Sequence, residues 1–434
     1  MKRPFLYKKF DKQVLAWAIY DWANSAFATT VLAGFFPLFF KQYWSTGLNS
    51  AESTFHLGAG NAAASLLIVL TAPLLGAIAD RGSLRKRFLF LFALTGIIAT
   101  AALSGVGQGE WLTAMMFFVV ATIGFMGANV FYDALIVTVA KEEDLDIVSA
   151  FGFALGYLGG GLLFAINVAM TLSPESFGLQ NSAEAVQLSF ITVAVWWLLF
   201  SLPIMLLVKE PKSPTTVSGF AVARAGYAQL IETFKHLRQL RVVFLFLLAY
   251  WLYIDGVDTI VRMAVDYGLS IGLEQNHLII ALLITQFVGF PAALGFGLLA
   301  KKLGPKGEGA KRGILLAIGV YIVATIGAFF MESVQGFYAL AVTIGLVQGG
   351  VQALSRSLYA RLIPSNKAAE FFGFYNMLGK FAAVIGPLMV GVVSLSTGDH
   401  RLGILSIIIL FIAGGWLLLK VDVAAGERAS KELG

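Results

Sequence analysis

Long apolar runs, separated by short polar segments, limit what this chain can fold into more than any other feature. A helix that crosses a bilayer needs about 20 mainly apolar residues. With 58% hydrophobic and 13% charged residues, unlike a soluble protein, the chain is predicted to be an all-α integral membrane protein with twelve transmembrane helices. The runs cover about residues 14–40, 57–79, 88–107, 112–138, 148–172, 187–208, 242–261, 278–300, 313–331, 335–360, 370–397 and 402–419.

The longest polar interruption divides the runs six and six. It predicts an N-terminal six-helix half at 1–208, a cytoplasmic linker at 209–241 and a C-terminal six-helix half at 242–434. A basic amphipathic helix in the linker would place Leu230, Phe234 and Leu237 on one side, which suits an anionic membrane surface. A solvated linker helix explains the same pattern equally well.

Two short motifs recur 221 positions apart and support this division. Segment 76–82 is echoed by 297–304, and the Phe-Gly-Phe sequence around Gly152 is echoed around Gly373. Two parallel six-helix repeats are an arrangement that transporters use. The two halves are therefore expected to be pseudo-symmetric.

The basic residues indicate the orientation of the chain. With the N-terminus in the cytoplasm, nearly all of the 31 lysines and arginines lie in cytoplasmic segments, and the outer side holds Lys41, Arg262 and Arg401. Cytoplasmic loops of membrane proteins carry such an excess, so both termini are predicted to be cytoplasmic, in a bacterial inner membrane. A signal spread over several segments, without one basic patch, excludes nucleic acid as a partner.

Motifs of enzymes and metal sites are missing from the sequence. It has no cysteine, its four histidines are scattered, and the patterns GxxxxGK[ST], HExxH and GxSxG are absent. No enzymatic activity, cofactor or metal is therefore expected, and an ion or substrate gradient must supply the energy. The expected partners are a small-molecule substrate and the lipid bilayer, with the chain acting as a monomer.

Polarity recurs in every third run. Runs 3, 6, 9 and 12 carry no charge, whereas runs 1, 4, 7 and 10 carry charged and amide side chains. Because a charge in hydrocarbon costs at least about 2.5–3.5 kcal/mol, these groups are expected to line a central wet cavity. The candidate substrate-binding residues are Asp21, Asn24, Asn129, Asp255, Gln286, Gln348, Gln352, Asn376 and Lys380.

Depth in the membrane separates the charged residues. Asp21 lies about two turns into run 1 and Asp255 beyond the middle of run 7, so either is a candidate carrier of a coupling proton. Asp133 and Arg356 lie within about one turn of the ends of their runs, where snorkelling or pairing with loop charges is expected. Lys380 lies near the middle of run 11. Either it neutralises Asp21 or Asp255, or it anchors a substrate carboxylate.

The loop between runs 2 and 3 reads GAIADRGSLRKR from Gly76 to Arg87. This combination of a glycine, an acid and a basic cluster resembles the signature of the major facilitator superfamily. The second copy has Lys301 where an acid would stand, so a matching charge lock in the C-terminal half is not supported. The resemblance implies a gating role for Gly76, Asp80, Arg81 and Arg85.

The sequence of run 1 resembles one particular family within this superfamily. Its segment YDWANSAF, from Tyr20 to Phe27, is followed by TTV at 29–31 and resembles the opening of the vacuole effluxer-like ("unknown major facilitator") family, whose fungal members export amino acids from the vacuole. The resemblance implies a secondary transporter that alternates between inward-open and outward-open states and moves a small polar solute such as an amino acid, with proton coupling as an option. Two alternatives stay open: an exporter of amphiphilic or lipid-like compounds, and a transporter-like nutrient sensor. Neither the substrate nor the direction of transport follows from the sequence.

Overall fold

The computed structural model describes residues 11–48, 50–210, 220–235, 241–270, 273–381 and 385–433, and these residues form helices joined by short turns. The first helix contains two π-helical stretches, Phe27–Phe35 and Phe40–Trp44. The helices are α1 (Lys12–Trp44), α2 (Ser50–Gly82), α3 (Arg85–Ala102), α4 (Trp111–Ala134), α5 (Leu145–Leu172), α6 (Ser182–Leu207), α7 (Phe220–Lys235), α8 (Arg241–Ser270), α9 (Gln275–Leu303), α10 (Lys306–Phe329), α11 (Val334–Leu362), α12 (Ala368–Phe381), α13 (Ile385–Thr397), α14 (His400–Leu419) and α15 (Val423–Leu433).

Most of these helices are long enough to cross a membrane. Within the described ranges, eleven are long and apolar enough, and the shorter apolar helix α13 follows α12. The described parts of the predicted run 370–397 are α12, which extends to Phe381, and α13, which is described from Ile385, while residues 382–384 lie outside the described ranges. With α12 and α13 as one crossing, the fold has the twelve crossings of the prediction.

The crossings form two six-crossing halves that meet along two seams, α2 against α12 and α5 against α9. Glycines allow the helices to approach closely there. A Cβ on Gly76 or Gly373 would overlap the backbone of the facing helix, and a Cβ on Gly297 would meet the side chain of Ala150. Small residues let transmembrane helices pack at short distance, so these glycines determine how the halves fit together.

The uncharged crossings expose apolar side chains. Leu91 and Ile98 on α3, Leu199 on α6, Val323 on α10 and Ile409 on α14 are all exposed. Each belongs to one of the runs that carry no charge. This exposure is what a helix needs where lipid is its neighbour.

The two ends of the bundle differ. We call the end that holds the α2–α3 turn, the start of α5 and the ends of α9 and α11 the linker end, because the linker helix α7 packs against α2 there. The other end is called the opposite end. Chain direction alternates between them along the sequence, so α1, α5 and α12 start at the linker end, whereas α2, α9 and α11 finish there.

The linker helix is docked onto the bundle. Gly226 lies directly against α2, and Gln229 donates a hydrogen bond to the fully buried carboxylate of Glu370 on α12 (2.5 Å). One face of α7 therefore packs against both halves, and the contact of its other face with a membrane surface or with water stays a prediction. Leu230 is half-buried, while the side chain of Phe234 lies outside the described residues, as does the whole of Leu237.

Candidate functional site

A buried arginine joins helices of both halves. The guanidinium of Arg356, on α11, lies 3.4 Å from Asp21 Oδ2 on α1 and 3.1 Å from Asp133 Oδ1 on α4. All three side chains are buried. A charge in such a place persists only when it is paired. One arginine thus holds two carboxylates and ties the C-terminal half to two helices of the N-terminal half.

Hydrogen bonds and aromatic rings, of which Phe153 is the nearest, complete the surroundings of Arg356. Its Nε donates to the hydroxyl oxygen of Ser149 on α5, and its Nη2 donates to the carbonyl oxygen of the same residue, both at 2.9 Å. Tyr132 donates its hydroxyl to Asp21 (2.8 Å), and the ring of Phe153 lies 4.2 Å from Cζ of the arginine, within cation–π distance. We call the group formed by Asp21, Tyr132, Asp133, Ser149 and Arg356 the arginine cluster.

Space for the arginine cluster depends on a glycine. A Cβ on Gly152 would lie 2.9 Å from Asp21 Oδ2 and 3.0 Å from Arg356 Nη2. One turn along α5, a Cβ on Gly156 would lie 2.6 Å from the hydroxyl oxygen of Ser25 on α1. The glycine face of α5 therefore lets α1 approach closely enough for Asp21 to reach the arginine.

An amide pair lies one turn further from the linker end. Asn24 donates its Nδ2 hydrogen to Asn129 Oδ1 (2.6 Å) and so joins α1 to α4 a second time. Asn376, on α12, donates to Asp133 Oδ2 (3.1 Å) and adds a further helix of the C-terminal half. Of the predicted substrate-binding residues, the structure thus brings four together around one buried centre: Asp21, Asn24, Asn129 and Asn376.

The expectation that Arg356 and Asp133 snorkel or pair with loop charges is wrong. Arg356 is only 2% exposed, and its partners are acids of other crossings. Depth along a single helix misleads here, because Arg356 of α11 lies among side chains of α1, α4 and α5. A usable signal existed: Arg356 and Lys380 are the two basic residues inside the predicted runs, so acids within the bundle had to neutralise them. Tyr132 and Ser149 carried no such signal.

Asp255 occupies a different place in the structure. Its side chain is fully buried, and its Oδ1 accepts hydrogen bonds from the N–H of Gly386 (2.9 Å) and the hydroxyl of Thr259 (3.2 Å). Gly386 lies on α13, so the carboxylate joins α8 to the backbone of that helix. Oδ2 has no hydrogen-bond partner in the described part of the chain.

Three predicted amides continue from the arginine cluster toward the opposite end. Gln352, one turn before Arg356 on α11, accepts a hydrogen bond from the hydroxyl of Tyr157 (3.4 Å). Gln348 lies one turn further, and its Oε1 is buried without a partner among the described residues. Gln286, on α9, faces the glycine-rich surface of α5. These side chains therefore lie on helices of the seam between the halves.

Lys380 lies on α12, one turn after Asn376, but its side chain falls outside the described residues. The partners that the structure shows for Asp21 are Tyr132 and Arg356, and those of Asp255 are given above. Both explanations of Lys380 stay predictions.

The predicted gating segment makes contacts between the halves at the linker end. Asp80 accepts the N–H hydrogens of Ala369 (3.1 Å) and Glu370 (2.9 Å) in the first turn of α12, and also a hydrogen of Arg85 Nε (2.7 Å). A carboxylate at a helix N-terminus is stabilised by unpaired N–H groups and by the helix dipole. Arg85 also donates to the carbonyl of Ser365 (3.1 Å), so acid and base both reach the other half.

The remaining gating residues differ in their surroundings. Gly76 lies against the backbone of α12, whereas the Nε of Arg81 has no partner in the described part of the chain. Glu210, just after α6, accepts the N–H hydrogens of Arg85 (2.7 Å) and Lys86 (3.2 Å) and so caps α3. Burial raises the pKa of the Glu210 carboxyl, and these two N–H donors offset only part of the increase.

The described hydrogen bonds at the opposite end join helices of the same half. Trp44 donates to the carbonyl of Val106 (3.2 Å), and Tyr267 donates to that of Ala328 (2.7 Å). The hydrogen bonds between the halves cluster instead toward the linker end. The bundle is thus fastened at one end.

The arginine cluster has a definite chemical capacity. Separation of the halves at the linker end must break both ion pairs of Arg356, and a proton or a bound cationic group can then take the place of the arginine on either carboxylate. Within the described residues, no three histidines or acids lie close enough together to hold a metal ion.

Comparisons with known proteins agree with this architecture. The sequence profile described as vacuole effluxer Atg22-like matches residues 10–431. The uncharacterized MFS-type transporter YxiO of Bacillus subtilis is 40% identical over 431 residues, with 98% of each chain covered. Autophagy-related protein 22 of Saccharomyces cerevisiae is 22% identical over 506 residues, which cover 98% of this chain and 94% of the yeast protein.

Two solved structures share the fold. The human organic anion transporter MFSD10 matches with a TM-score of 0.71 at 16% identity, over 94% of this chain and 99% of that one. The proton:xylose symporter XylE matches with a TM-score of 0.71 at 13% identity, over 97% of each chain. At such identities the likeness shows a common fold and not a common substrate.

Proposed function

This chain belongs to the vacuole effluxer Atg22-like family of major facilitator transporters, and on that premise we propose that it moves a small polar solute across the membrane by alternating access. The moving units are the halves 1–208 and 242–434, joined by the linker 209–241. The arginine cluster carries the proposal, because it places paired charges in the seam that must open when the halves rock. Both halves and the seam between them belong to one chain, so a monomer suffices.

The linker end is proposed to face the cytoplasm of a bacterium, with both termini on that side of the inner membrane. The distribution of lysine and arginine supports this orientation. The state described above, with contacts between the halves at the linker end, then corresponds to an outward-facing transporter.

The proposed substrate class is an amino acid or a similar metabolite. Support comes from the polar groups at the seam: carboxylates that suit an ammonium group, and amides that suit other polar groups. Gln348 Oε1, a buried acceptor without a partner among the described residues, is the amide atom most in need of a donor. The substrate role of Lys380 would add a cation for a carboxylate.

Proton coupling is the second part of the proposal, with Asp21 and Asp255 as alternative carriers. Asp21 has the stronger structural support, because its ion pair with Arg356 crosses the seam between the halves. Protonation of Asp21 would weaken that ion pair and so link proton uptake to opening of the linker end. Asp255 binds within the C-terminal half, to α13, and its protonation would alter the α8–α13 contact instead.

The experiment uses the full chain, purified and reconstituted in liposomes. A thermal-shift screen of metabolites first identifies ligands, which stabilise the state they bind. Labelled ligand is then followed across the membrane with a pH gradient, without one, and with an uncoupler. We expect accumulation that the uncoupler abolishes, and an Asp21→Asn variant that exchanges solute but no longer accumulates it.

Other outcomes have definite meanings. Binding without any movement of ligand would identify a sensor, and stabilisation by amphiphiles alone would identify an exporter of lipid-like compounds. Transport that is insensitive to pH and to uncouplers would exclude proton coupling, whereas loss of accumulation in Asp255→Asn but not in Asp21→Asn would assign the proton to Asp255.

A further inference from the structure

The internal repeat places opposite charges at equivalent points of the two halves. Asp80, near the end of α2, binds the N-terminus of α12. The equivalent position in the C-terminal half, 221 residues later, is Lys301 near the end of α9. A lysine cannot use the same contact, because the N-terminus of a helix carries a partial positive charge.

The start of α5 compensates for this change of sign. Its N-cap residue, Asp144, makes no hydrogen bond from its side chain to its own helix; its Oδ1 pairs instead with Lys301 Nζ (3.2 Å). Two residues later, Asp146 pairs with Arg361 near the end of α11 (3.0 Å), and both side chains are almost completely buried. The N-terminus of α5 is thus acidic, and the ends of α9 and α11 that face it are basic.

We propose that Lys301–Asp144 and Arg361–Asp146 form a second gate lock, inverted in charge, that holds the linker end closed together with Asp80. The proposal rests on the proposed function, since a gate presupposes alternating access. In the first lock an acid near the end of a helix, Asp80, binds the start of a helix of the other half. In the second lock bases lie near the helix ends, and the acids lie at the start of the facing helix.

The Lys301–Asp144 pair is more exposed than the other contacts of the two locks. The side chain of Lys301 is 31% exposed, whereas that of Asp80 is 1% exposed. Ions in solution screen exposed charges much more than buried ones. The Lys301 contact should therefore weaken as salt rises, while the Asp80 contact should hold.

The natural absence of cysteine allows a clean test. Spin labels are attached to cysteines in the variant Arg87→Cys with Ala424→Cys. The two positions, on α3 and α15, are exposed at the linker end and belong to different halves. Double electron–electron resonance then gives the distribution of distances between the labels in nanodiscs. The shorter distance reports the closed linker end. This measurement needs no substrate, so a chain that transports nothing in liposomes still yields a result.

Charge reversal then tests the second lock. Lys301→Asp should raise the ratio of long to short distances about five- to tenfold, and Lys301→Gln should raise it less. Lys302→Asp, the same change at the neighbouring exposed lysine, is the matched control and should leave the ratio at the wild-type value. The swapped pair Lys301→Asp with Asp144→Lys should restore the short distance.

The dependence of the distances on salt concentration is an independent test of the second lock. Raising NaCl should increase the long-distance fraction of the wild type. The increase should be smaller in Lys301→Gln, where the exposed Lys431–Glu142 ion pair between the halves (3.3 Å) remains. A Lys301→Asp protein that matches Lys302→Asp in both distance distribution and salt response would overturn the proposal, even if the swapped variant fails to fold.

Discussion

At the scale of single residues, Arg356 has to satisfy two carboxylates at once. Arg356→Gln leaves Asp21 and Asp133 buried without a counter-charge, and loss of one partner of a buried pair costs about 3–5 kcal/mol. We expect a lower unfolding temperature in detergent and no transport, whereas Arg428→Gln, on the exposed face of α15, should match the wild type. The double variant Arg356→Gln with Asp133→Asn should regain part of the lost stability. An Arg356→Gln protein as stable as the wild type would show that the ion pairs do not contribute.

A second prediction at this scale concerns Gly152. The Cβ of Gly152→Ala would press on Asp21 and Arg356, and overpacking of this kind costs about 1–3 kcal/mol. Gly319→Ala is the matched control, since a Cβ there meets nothing within 4 Å and alanine favours a helix by about 0.5–1 kcal/mol. The unfolding temperature and the rate of transport in liposomes should both fall in Gly152→Ala and stay unchanged in Gly319→Ala. Equal behaviour of the two variants would mean that α5 can move away from α1 at no cost.

Some residues of the site could be predicted and others could not. The spacings of Asp21 with Asn24, and of Asn129 with Asp133, place each pair on one helical face, and the structure brings those faces together. The partner of Asp21 was out of reach, because it comes from a helix more than 300 residues away in the chain. Only the three-dimensional arrangement selects Arg356 over Lys380 as the base that the structure shows beside Asp21.

At the scale of elements, the linker helix α7 is expected to support the closed linker end. Gln229→Leu would leave the buried carboxylate of Glu370 without its hydrogen-bond donor, which costs about 1–3 kcal/mol. We expect faster hydrogen–deuterium exchange in α7 and in the first turns of α12. Ala228→Leu, the same new side chain on the exposed face of α7, should leave exchange unchanged. Equal exchange in both variants would show that α7 docks without the help of this bond.

The helices themselves were largely predictable, since about 20 apolar residues in a bilayer leave few alternatives to a helix. Two contacts were not. The hydrogen bond from the N–H of Gly386 to Asp255 joins α13 to α8, and an apolar run gives no sign of such a contact. The docking of α7 depends on the Gln229–Glu370 hydrogen bond, whose partners are far apart in sequence.

At the scale of the whole molecule, the locks should control which side is open. Asp80→Asn weakens the contact with α12, so a cysteine at the fully buried Ala353 should react with maleimide several-fold faster than in the background that carries only Ala353→Cys. Transport should slow while ligand affinity stays within a few fold, because Asp80 lies at the gate and not among the substrate candidates. Complete loss of binding in a folded Asp80→Asn protein would contradict a gating role.

Twelve crossings and a repeat could be predicted from hydropathy and spacing, but not the end at which the halves meet. Both states of a rocking transporter are encoded by one sequence, and their free energies differ by the contacts at each end. Those contacts are made by side chains such as Lys301. Its positive charge alone argues against a lock in the C-terminal half, whereas its ion pair with Asp144 supports one.

The arginine cluster also has an electrical consequence. When both aspartates are ionised, one arginine leaves the cluster with a net charge of −1 in a region shielded from water. A unit charge that crosses a full 100 mV gains or loses about 2.3 kcal/mol, so even a partial displacement of Arg356 relative to the two acids couples the rocking of the halves to membrane voltage. Transient currents on solid-supported membranes should therefore accompany the conformational change without net transport, and they should shrink in a folded Arg356→Gln with Asp133→Asn protein. Such a transporter would sense the energised state of its membrane before any solute has moved.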